Sequence, residues 1–208
     1  KAIQVMANVT DMPEAVRKSR TGELKFLRAL FYFEGIKVFG PFIPWVDEAI
    51  TENNPLIHND KDIYLNVLAD LDDAIANLPN TQDTPGRVNV WAAKALKAKI
   101  LMQKGDMAAA KPILKDVIEN GKTSNGLAYG LEDDLDANFS SYTENGKESI
   151  FAVQFSVDTN NNGNVGMSLC YPHGGSGAPG GCCGFYQPSN ELANSFKVDA
   201  NGLPLLDN

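Results

Sequence analysis

Four stretches of the chain repeat apolar residues at helical spacing, and they predict four helices in its front part. In the first, residues 22–39, Leu24, Leu27, Leu30 and Phe31 join Phe26, Phe33 and Val38 to cover more than one face. Such a helix is mostly buried, so Arg28 within it needs a carboxylate partner or an exit to solvent. Gly40-Pro41 stops it, and Pro41 to Asn59, with Trp45 and three prolines, reads as a loop. The second helix runs over about 60–78, where Ile63, Val67, Leu68, Leu71, Ile75 and Leu78 form one stripe. Asn59 or Asp60 is its expected cap, and Pro79 follows it. The third spans Val90 to Lys104, capped by Asn89 and closed by Gly105. The fourth starts at Asp106 as cap and ends near Asn120-Gly121, with Pro112 a local defect in its second turn.

Gly105-Asp106 alone joins the last two helices, which forces an antiparallel hairpin. Alanines at 92, 93, 95, 98, 108, 109 and 110 let the two axes approach closely. The spacing resembles a tetratricopeptide repeat: Ala98, Leu101, Gly105, Ala110 and Leu114 fall where small, bulky, turn, small and bulky residues belong. Lys94 and Lys122 stand where that repeat has its initial Trp and final Pro.

Beyond the helices the period changes. Phe151, Val153, Phe155 and Val157 alternate with smaller or polar residues, which predicts one short strand over 148–157. Residues 158–184 have no periodicity. A last short helix is expected over 188–198, with Ser189 or Asn190 as cap and Leu192 and Phe196 facing inward. The start, Lys1-Ala2-Ile3, reads as the inside of a helix and the end as a turn, so the sequence is expected to be an excerpt of a longer protein.

Charge sharpens this division. The net charge is −8. Residues 1–122 hold 16 basic and 16 acidic side chains, so the whole excess lies in 123–208, where twelve of the 18 glycines also fall. The expected organisation is therefore a helical scaffold over 1–122 and an irregular, loop-rich, ligand-binding part over 123–208. An acidic chain without clustered Lys and Arg is a poor partner for nucleic acid. No window of about 20 residues is uncharged and apolar, which excludes a helical membrane span.

Candidate chemistry is sparse. Asp158, Asn160, Asn162 and Gly163 match the first half of a calcium loop, but Leu169 stands at the twelfth position, so a solvated Asn-rich turn is the competing reading. His173-Gly-Gly resembles an esterase oxyanion loop, yet no G-x-S-x-G elbow accompanies it. Cys170, Cys182 and Cys183 lack zinc spacing; one bridge from Cys170 to either neighbour, or three thiols, are both open. Glu132, Asp133, Asp134 and Asp136 read as a solvated face rather than a glycosidase pair. No catalytic residue, metal site or cofactor is predicted. Trp45, Tyr171, Phe185 and Tyr186 lie in expected loops beside Gly and Pro, where rings can stack on sugars or plug the core.

Several motifs resemble the SusD/RagB family. G-E-L-K-F-L-R-A-L-F-Y-F over 22–33, followed by Phe39-Gly40-Pro41, resembles the family's G-E-x-x-F-L-R-A-x-x-Y-F helix. Tyr64 through Asp70-Leu71 to Leu78-Pro79, then Gly86-Arg87 with Ala92-Ala93, Ala95-Leu96 and Ala98, continue in family order. Glu148 to Phe151 and Pro188 to Gly202 match more loosely. The resemblance implies a mostly α fold, an α/α superhelix of tetratricopeptide-like hairpins on an irregular half with little β. It implies an outward-facing, lipid-anchored outer-membrane protein that binds glycan and passes it to a SusC-like TonB-dependent transporter, without enzymatic activity. The anchor would lie outside this segment. Because the acidic half disfavours anionic sugars, the expected ligand is a neutral oligosaccharide or polysaccharide. A tetratricopeptide-like scaffold that binds only protein is the alternative. The resemblance carries over no ligand residue, so the four rings stand on local reasoning.

Overall fold

The computed structural model describes residues 1–51, 56–140, 142–154, 189–203 and 205. The chain divides into two compact units, Lys1–Val153 and Gln154–Asn208. Among the described residues the secondary structure is helical, with no strand.

In the first unit a short helix α1, Ala2–Asn8, packs on the long α2, Glu14–Phe39. The latter starts eight residues before the expected Gly22. Pro13 fixes the chain for helix entry, and the first two turns are polar, so no apolar period marks them. They are held by the Lys18–Glu14 pair and by the Thr21 hydroxyl donating to the Arg17 carbonyl at 2.9 Å. Next, α3 spans Tyr64–Asn77 rather than starting at Asp60. Neither Asn59 nor Asp60 caps it; Asp62 Oδ1 accepts from the Tyr64 N–H at 2.8 Å. Leu78 then turns extended, as the residue before Pro79 must.

The last two helices of the unit follow the sequence expectation closely. α4 is Val90–Lys104 and α5 is Met107–Asn120. Asn89 and Asp106 both cap through side-chain oxygens, at 2.9 Å from the Ala92 N–H and 3.0 Å from the Ala109 N–H. Gly105 closes α4 in the left-handed region, at φ 90°. Lys94 near the start of α4 pairs with Asp116 near the end of α5 at 2.6 Å, so the hairpin is antiparallel. Pro112 sits on the exposed side of α5 and does not interrupt it.

One core lies between α2, α3 and α4. Phe26, Ala29, Phe33 and Ile36 meet Ile63, Val67, Leu71, Ala74 and Leu78, and then Ala92, Ala93, Leu96 and Ile100. The tetratricopeptide-like positions Ala98, Leu101 and Ala110 form a smaller cluster with Leu114. Gly22 lets α2 and α3 approach: a Cβ there would lie 3.2 Å from Leu78 Cγ.

The strand expected over 148–157 is absent through 154, and its remainder lies outside the described residues. Phe151 does face the core, with its ring 5.0 Å from Phe26 in an edge-on contact. Val153 on the same expected face is exposed, and among the described residues no neighbouring strand offers the ladder that an isolated strand requires. In the second unit, α6 spans Asn190–Ser195, with Ser189 Oγ accepting from the Leu192 N–H at 3.1 Å. Leu192 and Phe196 are exposed rather than inward.

Asn89 joins three segments of the first unit. Its buried amide also donates to the carbonyls of Asn80, at 3.1 Å, and Lys122, at 2.8 Å. Asn89→Ala removes a cap and the donor shared by the Asn80 and Lys122 carbonyls. It should lower stability by about 2 kcal/mol, read from urea unfolding.

Candidate functional site

Lys25, Arg28 and Tyr32 fall on one face of α2, three and four residues apart. That face meets α3 and the 41–50 loop. Arg28 grips Asp70 through both carboxylate oxygens, Nε to Oδ2 at 2.6 Å and Nη2 to Oδ1 at 2.7 Å. Its third nitrogen, Nη1, donates to Glu48 Oε2 at 2.7 Å. Asp70 is only 5% exposed, so this is the carboxylate partner that the half-buried Arg28 required. Lys25 pairs with Asp73 and lies 3.8 Å from Glu48.

Trp45 is wedged into this cluster and is half-buried. Its ring centre lies 4.5 Å from that of Tyr32, and the Arg28 guanidinium sits 4.9 Å above it. The indole N–H donates to Asp47 Oδ2 at 3.2 Å, and the Val46 N–H donates to the Tyr32 hydroxyl at 2.8 Å. Gln4 of α1 donates to the carbonyls of Glu48 and Ile50. The second half of the loop, residues 45–50, is therefore held by side chains of α1 and α2. Of the other rings singled out from sequence, Tyr171, Phe185 and Tyr186 lie outside the described residues. So do Cys170, Cys182, Cys183, His173 and the Asp158–Gly163 turn.

Electrostatics follow the geometry. Burial opposes the Arg28 charge, but hydrogen bonds to Asp70 and Glu48 outweigh it and hold the guanidinium charged. Burial also opposes the Glu48 charge; the Arg28 hydrogen bond wins and lowers its carboxyl below the usual range. A second ionic junction joins Glu23 of α2 to Arg20, at 2.9 Å, and to Arg87 before α4. Gly86 reaches this turn at φ 81°. Burial pushes the Glu23 carboxyl up, against Arg20 and a hydrogen bond from Gln82. Among the described residues, no group of three His, Cys, Asp or Glu is arranged to hold a metal ion. No described helix is long and apolar enough to cross a membrane.

Sequence reasoning missed two rings. Phe139 and Tyr142 flank the end of a 3-10 turn, Leu135–Phe139, and are 83% and 97% exposed. The signal was available: aromatics inside an acid-rich segment with no apolar period have no core to enter. The acidic run instead drew the whole segment into the reading of a solvated face.

No protein-family model matches the chain. A curated SusD-like protein of Bacteroides ovatus is 28% identical over 155 residues, which is 68% of this chain. The chain spans 27% of that relative's length. Among solved structures, a laminarin-binding SusD-like protein is 28% identical with TM-score 0.64, over 74% of this chain and 34% of its own. A SusD superfamily protein of Parabacteroides distasonis shares the fold at TM-score 0.70 and 24% identity, over 94% of this chain and 43% of its own. The chain is thus SusD-like in sequence and in its helical fold.

Two substitutions separate the roles in the Arg28 cluster. Arg28→Met leaves Asp70 buried and unpaired, and should cost about 3–5 kcal/mol in urea unfolding. Glu48→Gln tests the exposed arm. A carboxyl with a lowered folded pKa stabilises the protein above its unfolded value of ~4.3, and that contribution is lost as pH falls. Glu48 is 39% exposed, so the variant should lose only about 0.5 kcal/mol at pH 7. Its unfolding midpoint should match the parent's near pH 3.

Proposed function

We propose that the protein is a cell-surface glycan-binding lipoprotein of the outer membrane that delivers oligosaccharide to a SusC-like TonB-dependent transporter. The observation that carries this reading is the 28% identity and common fold with a laminarin-binding SusD-like protein. The chemistry of the chain agrees with it. Binding a neutral sugar needs rings for its C–H faces and polar groups for its hydroxyls, and requires neither nucleophile nor metal. The sequence has no nucleophile elbow, and its acidic run over 132–136 reads as a solvated face rather than a glycosidase pair, which supports a reading of binding without hydrolysis.

Tyr171, Phe185 and Tyr186 are proposed as stacking rings in a glycine-rich stretch. Trp45 is proposed as a further ligand contact. Its indole is already braced by Arg28 and Tyr32, so its rotamer is fixed before any sugar arrives. The acidic excess of residues 123–208 selects a neutral glycan over an anionic one.

Calorimetry with laminarin should show binding that barely changes between low and high salt, with no release of reducing sugar. Tyr171→Ala and Tyr186→Ala should each weaken it about fivefold, the equivalent of ~1 kcal/mol for one lost ring contact. Steep salt dependence, or sugar release abolished by an Asp or Glu substitution, would overturn the reading.

A further inference from the structure

We propose that Asn145 is a site of spontaneous deamidation, where the Asn145–Gly146 link converts to aspartate and isoaspartate. Asn–Gly pairs begin at Asn120, Asn125, Asn145, Asn162 and Asn201. Glycine after asparagine favours the reaction, because no Cβ shields the backbone nitrogen that attacks. Two of the pairs even share their flanks, since Glu-Asn-Gly-Lys stands at both 119–122 and 144–147. Local sequence therefore does not separate them, but their hydrogen bonds do.

The chemistry sets the requirement. Hydroxide takes the proton of the glycine N–H, and the nitrogen attacks the asparagine Cγ. An N–C bond forms, and the side-chain nitrogen takes a proton from water and leaves as ammonia. Water then opens the cyclic imide at either carbonyl. One opening gives aspartate; the other reroutes the main chain through Cβ and gives isoaspartate. In sum one water enters and one ammonia departs, with no redox change. A glycine N–H that is held by an acceptor must first open, and local opening costs free energy.

Three of the pairs are held in this way. Asn120 ends α5, where the Gly121 N–H donates to the Val117 carbonyl at 2.9 Å and the Asn120 amide donates to Asp116 Oδ1 at 2.9 Å. The Gly126 N–H donates to the Thr123 carbonyl at 3.0 Å. Asn125 beside it accepts from the Thr123 hydroxyl and donates to the Asn145 carbonyl at 3.3 Å. The Gly202 N–H donates to the Asp199 carbonyl at 3.0 Å, and the Asn201 N–H to Asp199 Oδ1 at 2.8 Å. Asn162 and Gly163 lie outside the described residues.

Gly146 differs. Among the described residues its N–H meets no acceptor, while the Lys147 N–H donates to Glu132 Oε1 at 2.8 Å and the Ser149 N–H to the Gly146 carbonyl at 3.0 Å. Asn145 also stands in the left-handed region, at φ 58°, a backbone that an L-residue adopts at a cost. The site is a junction as well. A Cβ on Gly146 would lie 2.5 Å from Glu132 Oε1, so the chain passes close beside that carboxylate. An added main-chain methylene between Asn145 and Gly146 would displace the Lys147 N–H from Glu132 and loosen the acidic segment that Glu132 begins.

The test follows the folded full chain at mildly alkaline pH, with peptide mapping by mass spectrometry and enzymatic methylation to identify isoaspartate. The Asn145 peptide should convert about tenfold faster than the Asn120 peptide, whose Gly121 N–H must open first. In urea the two should convert at the same rate, because their flanking residues are identical. Raising the pH should speed conversion at Asn145, since hydroxide takes the proton. Equal rates in the folded chain, or a faster Asn120, overturn the inference. So does an Asn145 lead that persists in urea, because the fold would then not be its cause.

Discussion

The helical unit turns on the Arg28–Asp70 pair. Apolar stripes bring α2 and α3 together, but a stripe of Phe, Leu and Ile tolerates sliding, whereas a two-pronged salt bridge does not. With Arg28 opposite Asp70, the next contacts follow at helical steps: Lys25 meets Asp73, and Gly22 meets Leu78 and Asn77. Each step back along α2 is a step forward along α3, so the pair specifies both antiparallel direction and register. The asymmetry of a buried ion pair adds to this. Joined, it contributes little net stability; mismatched, it leaves a charge in the core. Alternative registers are therefore penalised more than the native one is favoured.

The same guanidinium reaches a third element. By donating to Glu48 and lying over Trp45, Arg28 ties an otherwise irregular loop to the two helices. Glu23 and Arg87 repeat the device one turn earlier on α2, and Asn89 extends it to the Lys122 carbonyl beyond α5. The motifs that carry the family resemblance hold these residues: Gly22, Glu23, Arg28, Asp70, Gly86 and Arg87. Their work in this chain is structural. They set helix positions and anchor connections, which explains how a recognisable scaffold can accompany a ligand that its motifs do not specify.

What the sequence made legible follows from where the physics is local. α4 and α5 were readable to the residue because caps, a left-handed glycine and an alanine-rich seam act within a few positions. The start of α2 was not, because its first turns are polar and lean on one proline and one i,i+4 pair. The cap of α3 was misassigned because an extra turn of chain, ending at Asp62, approaches the helix without joining it. Phe151 showed the hazard of period-two patterns: one half-buried ring imitates a strand where the described residues hold no partner strand. The need of Arg28 for a carboxylate was evident, but its choice of Asp70 over Asp60, Asp62, Asp72 and Asp73 depends on helix packing. Trp45 was legible as a ring in a loop and not as a ring braced by a cation.

The loops of this unit are ordered by polar side chains rather than by apolar burial, and this bears on how recognition is built. A loop stabilised by burying its aromatics has none left to offer. Trp45 stands between the cases, with its ring partly committed to Arg28 and Tyr32. In the 131–148 segment the order comes from Glu132, Asn138, Thr143 and Glu148, whose hydrogen bonds use no aromatic surface. Phe139 and Tyr142 in that segment are exposed among the described residues. Glycines serve the complementary need, turning the chain through the left-handed region at Gly86 and Gly105. A scaffold whose register rests on buried ion pairs can carry loops of this kind at little cost to its core, since the two sets of interactions share few residues. Changes in the loop acids would then leave the Arg28 and Glu23 junctions, and with them the helix positions, in place.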